Sequence, residues 1–224
     1  METKVLDTKS MGTPRLKALE VGCGPGYVME LLADRFDVAG VDRDADMVQK
    51  AHNRGLKVIQ ADVYDLPCED DSYDLVYCSF LMLWLKDPIK AISEMKRVAK
   101  HWVICLAEPD YGGRIDYPDE LTSLTGCLAN EIIELGGDPC VGRKLRSFFN
   151  QNGMEGEVGV HQGVWSLDTL RDQSDKEWAV IEKAAKHHID SASLRRGRAV
   201  WEEALDDGSL FQYNPVFYVF GRKS

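Results

Sequence analysis

The sequence predicts an α/β fold: a doubly wound seven-stranded sheet, mostly parallel, with a reversed last strand and a helical cap. Three observations predict it. Between Lys17 and Pro109, short apolar runs alternate with segments of helical spacing, the pattern of right-handed crossovers on a parallel sheet. The first run leads through three glycines at alternate positions, Gly22, Gly24 and Gly26, straight into a helix-periodic segment. The chain finishes on a strongly apolar stretch, Val216-Phe217-Tyr218-Val219-Phe220, after a long helical region.

Taken in order, residues 1–15 hold few apolar side chains and a Gly12-Thr13-Pro14 break, so a flexible arm is expected there. The remaining 16–224 read as one domain. Strands are expected near 17–21, 37–41, 57–61, 74–80 and 102–106, with helices near 27–35 and 44–53. Asp87-Pro88 opens a further helix that carries Ile89, Ile92, Met95 and Val98 on one face. Beyond Pro109 helices are expected over about 118–136 and 141–152, then a strand over 157–165. A mostly helical stretch over about 167–206 precedes the last strand, expected antiparallel beside the 157–165 strand at the sheet edge. Insertions over about 110–140 and 167–206 are expected to rise over the strand ends as a cap and to hold substrate specificity.

Composition narrows the function. A formal charge of −10 argues against a broad phosphate-binding surface, so nucleic acid is not the expected substrate. No apolar run approaches the roughly 18 to 20 residues that span a bilayer, and the first ten residues show no signal peptide. Six scattered cysteines form neither a C-x-x-C pair nor a cluster at metal spacing. They read as reduced thiols in a cytoplasmic protein without a metal site.

The glycine loop suggests a nucleoside-containing cofactor. About twenty residues after Gly22, the second strand ends in Asp42, where a ribose diol would be held by a carboxylate. The spacing is G-x-G-x-G, with Tyr27 where a dinucleotide fingerprint would place its third glycine. Glu20, two residues ahead of the loop, suits an ammonium group and opposes a pyrophosphate.

Glu20-Val21-Gly22-Cys23-Gly24-Pro25-Gly26 resembles motif I of the class I S-adenosylmethionine-dependent methyltransferases. Three later segments extend the resemblance over roughly residues 16–110: Asp62-Val63 with Asp65-Leu66-Pro67, Ser72-Tyr73-Asp74-Leu75-Val76, and Leu83 to Pro88. Together they point to the methyltransferase type 11 group, which contains ubiquinone/menaquinone-type methyltransferases. The resemblance implies a Rossmann-like fold and S-adenosyl-L-methionine as cofactor. It further implies that Gly22, Cys23, Gly24 and Gly26 pass close to the methionine portion, with Glu20 near its ammonium. Asp42, Arg43 and Met47 would border the ribose side, Asp62 and Val63 the adenine, and Ser79, with Phe80 and Leu81, the sulfonium.

Methyl transfer from a sulfonium needs alignment more than a catalytic triad. Candidates on the acceptor side are Glu108, Asp110, Tyr111, Arg114, His161 and Trp165; among them Tyr111, His161 and Glu108 could take catalytic roles. Arg114, Arg143 and the run Lys186, His187, His188, Arg195, Arg196 and Arg198 concentrate positive charge; facing the pocket they would select an acidic substrate, otherwise they form a solvated face. The expected partner is a small-molecule acceptor, with a homodimer as the candidate protein assembly. Two alternatives stand beside this reading: an NAD(P)-dependent oxidoreductase, and a cofactor-binding adaptor without activity.

Overall fold

The computed structural model describes residues 14–223, so the expected arm lies almost wholly outside the described residues. Five strands run parallel: β1 (Lys17–Val21), β2 (Asp37–Asp42), β3 (Val58–Gln60), β4 (Tyr73–Cys78) and β5 (Ala99–Pro109). Helices α1 (Tyr27–Leu32), α2 (Ala45–Asn53) and α3 (Pro88–Val98) form their crossovers. Asp87 caps α3 by accepting the Lys90 N–H at 3.0 Å, and Pro88 stands in the first turn, where a missing N–H costs nothing.

After β5 come β6 (Ile115–Tyr117), α4 (Thr122–Glu134), α5 (Leu145–Gln151) and β7 (Gly156–Val160). The expected long helical stretch is two helices, α6 (Leu167–Ala185) and α7 (Ser191–Asp207), the second capped by Asp190. Two strands finish the chain, β8 (Phe211–Tyr213) and β9 (Val216–Arg222). The sheet order is β3-β2-β1-β4-β5-β9-β7.

Two expectations are corrected here. The reversed last strand is not at the edge: β9 pairs antiparallel with β5 on one side and with β7 on the other, leaving β7 as the edge. The 157–165 strand ends at Val160, because the chain turns away to bridge Val164 with Tyr213. The small β6–β8 sheet had no counterpart in the sequence reading.

Apolar strands bury both faces, as a sheet covered by helices requires. Leu19, Val21, Val76 and Val103 pack with α3 and α5 through Ile92, Met95 and Phe149. On the other side Ala18, Tyr77 and Ile104 meet Val28 and Leu32 of α1. A second core joins α4, α6 and α7: Leu124, Leu128, Trp178, Ile181 and Trp201. Trp201 is fully buried, and its indole N–H donates to Ser174 Oγ at 2.8 Å. Among the described residues no helix is long and apolar enough to cross a membrane.

Candidate functional site

A cavity of about 670 Å³ opens over the C-terminal ends of β1, β2 and β3. Gly22, Asp42, Arg43, Met47, Asp62 and Val63 wall it. The loop reaches it because all three glycines take positive φ, which other residues resist. A Cβ on Gly22 would lie 2.8 Å from Leu81 Cδ1, so backbone alone fits between the loop and the opposite wall.

Asp42 ties the loop to the strand: Oδ2 accepts the Gly24 N–H at 2.7 Å and Oδ1 the Asp44 N–H at 2.9 Å. Each oxygen keeps a second lone pair for a ligand hydroxyl. Asp62 accepts the Tyr64 N–H at 2.9 Å, a turn that carries Val63 and Tyr64 into the wall.

The other residues expected around a cofactor sit elsewhere. Glu20 is buried beneath the loop, where Tyr77 donates to it at 3.3 Å. Desolvation pushes its carboxyl up to about 8, so it is largely protonated at neutral pH. Cys23 points into the core with Met29 and Val48, and burial pushes its thiol up to about 12, which removes it as a nucleophile. Gly24 and Gly26 shape the loop without walling the cavity, and Gly26 is the N-cap of α1. Ser79 also stays out of the wall; its neighbours Phe80 and Leu81 enter it instead.

The sequence reading missed Tyr64, Trp84, Lys86 and Leu135 in this wall. Trp84 and Leu135 are 41% and 66% exposed, and Leu135 arrives from the end of α4, distant in sequence. A large apolar residue beside Gly136 at a helix end was the only local signal for it.

A second cavity, of about 460 Å³, adjoins the first at Phe80, which walls both. Tyr111, Arg114, His161 and Trp165 line it, which brings together four of the six acceptor-side candidates. His161 Nε2 is 2.7 Å from the Leu106 carbonyl, so that nitrogen carries the donated proton and Nδ1 is left to accept one. Burial raises the Tyr111 phenol above its ordinary range.

Glu108 and Asp110 are the two corrections. Glu108 is fully buried and accepts the Leu81 and Met82 N–H groups, each at 3.1 Å, holding the turn that carries Phe80 and Leu81. Desolvation pushes its carboxyl up to about 7, yet it lines neither cavity. Asp110 is buried against Arg143, with Nε at 2.5 Å and Nη2 at 2.6 Å. Both carboxylates are used in support of the fold. The basic run also stays away from the cavities: Arg198 pairs with Asp175 and Glu202 at 3.1 and 2.7 Å, and Lys186, His187, Arg195 and Arg196 are exposed.

The family model described as "Methyltransferase domain" matches residues 19–106, which contain the glycine loop and most of the larger cavity's wall. Over residues 19–106 the chain is similar to the methyltransferase domains of that family. Demethylmenaquinone methyltransferase of Staphylococcus aureus is 32% identical over 44% of this chain and 46% of its own length. Trans-aconitate 2-methyltransferase of Rhizobium rhizogenes is 32% identical over 54% of this chain and 45% of its own. The chain spans about half, or less, of the length of the curated relatives it matches. Among solved structures, phosphoethanolamine N-methyltransferase 2 of Haemonchus contortus, in complex with S-adenosyl-L-methionine, aligns with a TM-score of 0.59 at 16% identity. That alignment covers 95% of this chain and 50% of the other, so the likeness of fold extends beyond residues 19–106.

Proposed function

We propose that the protein is an S-adenosylmethionine-dependent methyltransferase acting on a small molecule. The observation that carries this reading is the pair of cavities sharing Phe80, the first over the glycine loop and Asp42, the second walled by Tyr111 and His161. The wall suits a nucleoside joined to an amino acid. Asp42 offers two lone pairs to a diol, and Met47 and Val63 offer apolar contact to a purine. Tyr27, standing where a dinucleotide fingerprint places its third glycine, weighs against the oxidoreductase.

The bound donor supplies an electrophilic methyl carbon on a sulfonium. The chain's own task is alignment and exclusion of water. Phe80 stands where the cavities meet and limits the approach of the acceptor to one side. Tyr111 can donate its hydroxyl proton in a hydrogen bond to the acceptor, and His161 Nδ1 can take a proton from it. We place the protein in a reducing cytoplasm, a reading supported by its six free cysteines.

Calorimetric titration with S-adenosylhomocysteine tests the proposal. Wild type should bind saturably, and Asp42→Ala, which loses both the loop anchor and the diol partner, should bind about 10- to 100-fold more weakly. No binding by wild type sinks the reading. Binding without transfer to any amine, alcohol, thiol or carboxylate acceptor would favour the adaptor.

A further inference from the structure

The second cavity carries a charge pattern that methyl transfer by itself does not require. At about 460 Å³ it has the size of a site for a small organic molecule. Three aromatic side chains stand in its wall: Phe80, Tyr111 and Trp165. The guanidinium in that wall, Arg114, is 8% exposed and already committed. Its Nε lies 3.1 and 2.9 Å from the two oxygens of Asp116, and its Nη2 lies 3.3 Å from Glu177 Oε1. Buried Asp116 also accepts the Thr125 hydroxyl at 2.7 Å and the Gln212 amide at 3.3 Å, so its partners are complete. One positive charge therefore faces two negative ones. An anion entering the cavity would meet a neutralised guanidinium and a surplus carboxylate.

The uncommitted hydrogen-bonding capacity points the same way. His161 spends Nε2 on the Leu106 carbonyl and keeps Nδ1 as an acceptor. Asn214, also in the wall, has its Oδ1 buried without a donor. Glu177, at 22% exposure, keeps lone pairs beyond the one Arg114 engages. The exposed cations of α6 and α7 stand outside this wall and cannot reverse its sign. Aromatic faces beside a net negative charge favour a cation.

We infer that the methyl acceptor is a small amine, held as its ammonium form between Trp165, Phe80 and Glu177. This inference rests on the methyltransferase reading and names the substrate class of the same site. The ammonium must first give one N–H proton to His161 Nδ1. The freed nitrogen lone pair then forms the N–CH3 bond while the S–CH3 bond breaks, its electron pair staying on sulfur as a neutral thioether. Glu177 is a binding residue here, opposite the acceptor's charge.

A matched series tests this: 2-phenylethylamine, 2-phenylethanol and 3-phenylpropionate, titrated at neutral pH into the full chain saturated with S-adenosylhomocysteine. The amine is expected to bind about tenfold or more tighter than the carboxylate, with the alcohol between them. Glu177→Gln should cut the amine's lead over the alcohol at least about threefold, with unchanged affinity for S-adenosylhomocysteine reporting an intact fold. A carboxylate that binds as tightly as the amine, an amine that shows no saturable binding, or an unchanged lead in Glu177→Gln each overturns the inference. A wild type that does not bind S-adenosylhomocysteine fails at the earlier step instead, so the two failures are distinguishable.

Discussion

Phe80 holds φ at +53°, a conformation that a residue with a Cβ adopts at a cost. Its N–H donates to the Ala107 carbonyl at 2.7 Å, and the neighbouring Leu81 and Met82 N–H groups are held by Glu108, so the turn is fixed from both sides. Strain at the one residue shared by both cavities is what an alignment role would explain. Phe80→Gly should relieve the strain and leave stability within about 1 kcal/mol of wild type, while methyl transfer falls about tenfold or more. Denaturant melts beside single-turnover rates check both halves. Glu20 offers a second test at this scale. Its folded pKa, about 8, lies above the ordinary 4.5, so the folded state holds a proton that the unfolded state releases. The associated stability is complete below pH 4.5 and is lost as pH rises through about 8. Glu108 adds the same sign up to about 7. Unfolding free energy should therefore fall by a few kcal/mol, roughly, from pH 5 to pH 9. Glu20→Gln, neutral throughout, should flatten part of that slope and exceed wild type at the alkaline end. An identical slope in wild type and variant would show that Glu20 ionises normally.

At the level of elements, α4, α6 and α7 depend on one another, because an isolated helix of their length is marginal in water. Trp201 on α7 meets Trp178 on α6 at 5.8 Å between ring centroids and donates to Ser174 on the same helix. Trp201→Ala should cost about 3–5 kcal/mol, lowering Tm by roughly 10 °C in a thermal melt. The helical spacing of these segments was legible, as was the Asp87 cap of α3, while the Ser166 and Asp190 caps that divide the last stretch into α6 and α7 were not read. Which face of α7 met solvent was not. Arg195, Arg196 and Arg198 could equally have lined a pocket, and only the docking of Trp201 and Gly197 inward turned them out. Glu108 and Asp110 misled for a related reason: carboxylates at a strand end look catalytic until the backbone donors and the arginine that occupy them are seen.

Across the whole molecule, β9 closes the sheet from within, since it fills the gap between β5 and β7 with seven residues, Val216–Arg222. A chain ending at Asn214 should expose two strand edges and lose its cooperative unfolding transition; calorimetry on that truncation checks it. The parallel half of the sheet was readable, because each strand, glycine turn and helix is a local pattern with its own apolar period. So were Gly22, Asp42, Asp62 and Val63, which lie at strand ends in an order that a sheet must bring to one edge. The sequence by itself determined the sheet's alternation and the loop that walls the larger cavity. Only the tertiary structure decided the rest: that Glu20 and Cys23 lie beneath the loop, that Phe80 joins two cavities, and that Arg114 is neutralised by Asp116 and Glu177. Those facts depend on contacts between residues up to 63 positions apart, as with Arg114 and Glu177, where no local spacing carries the information.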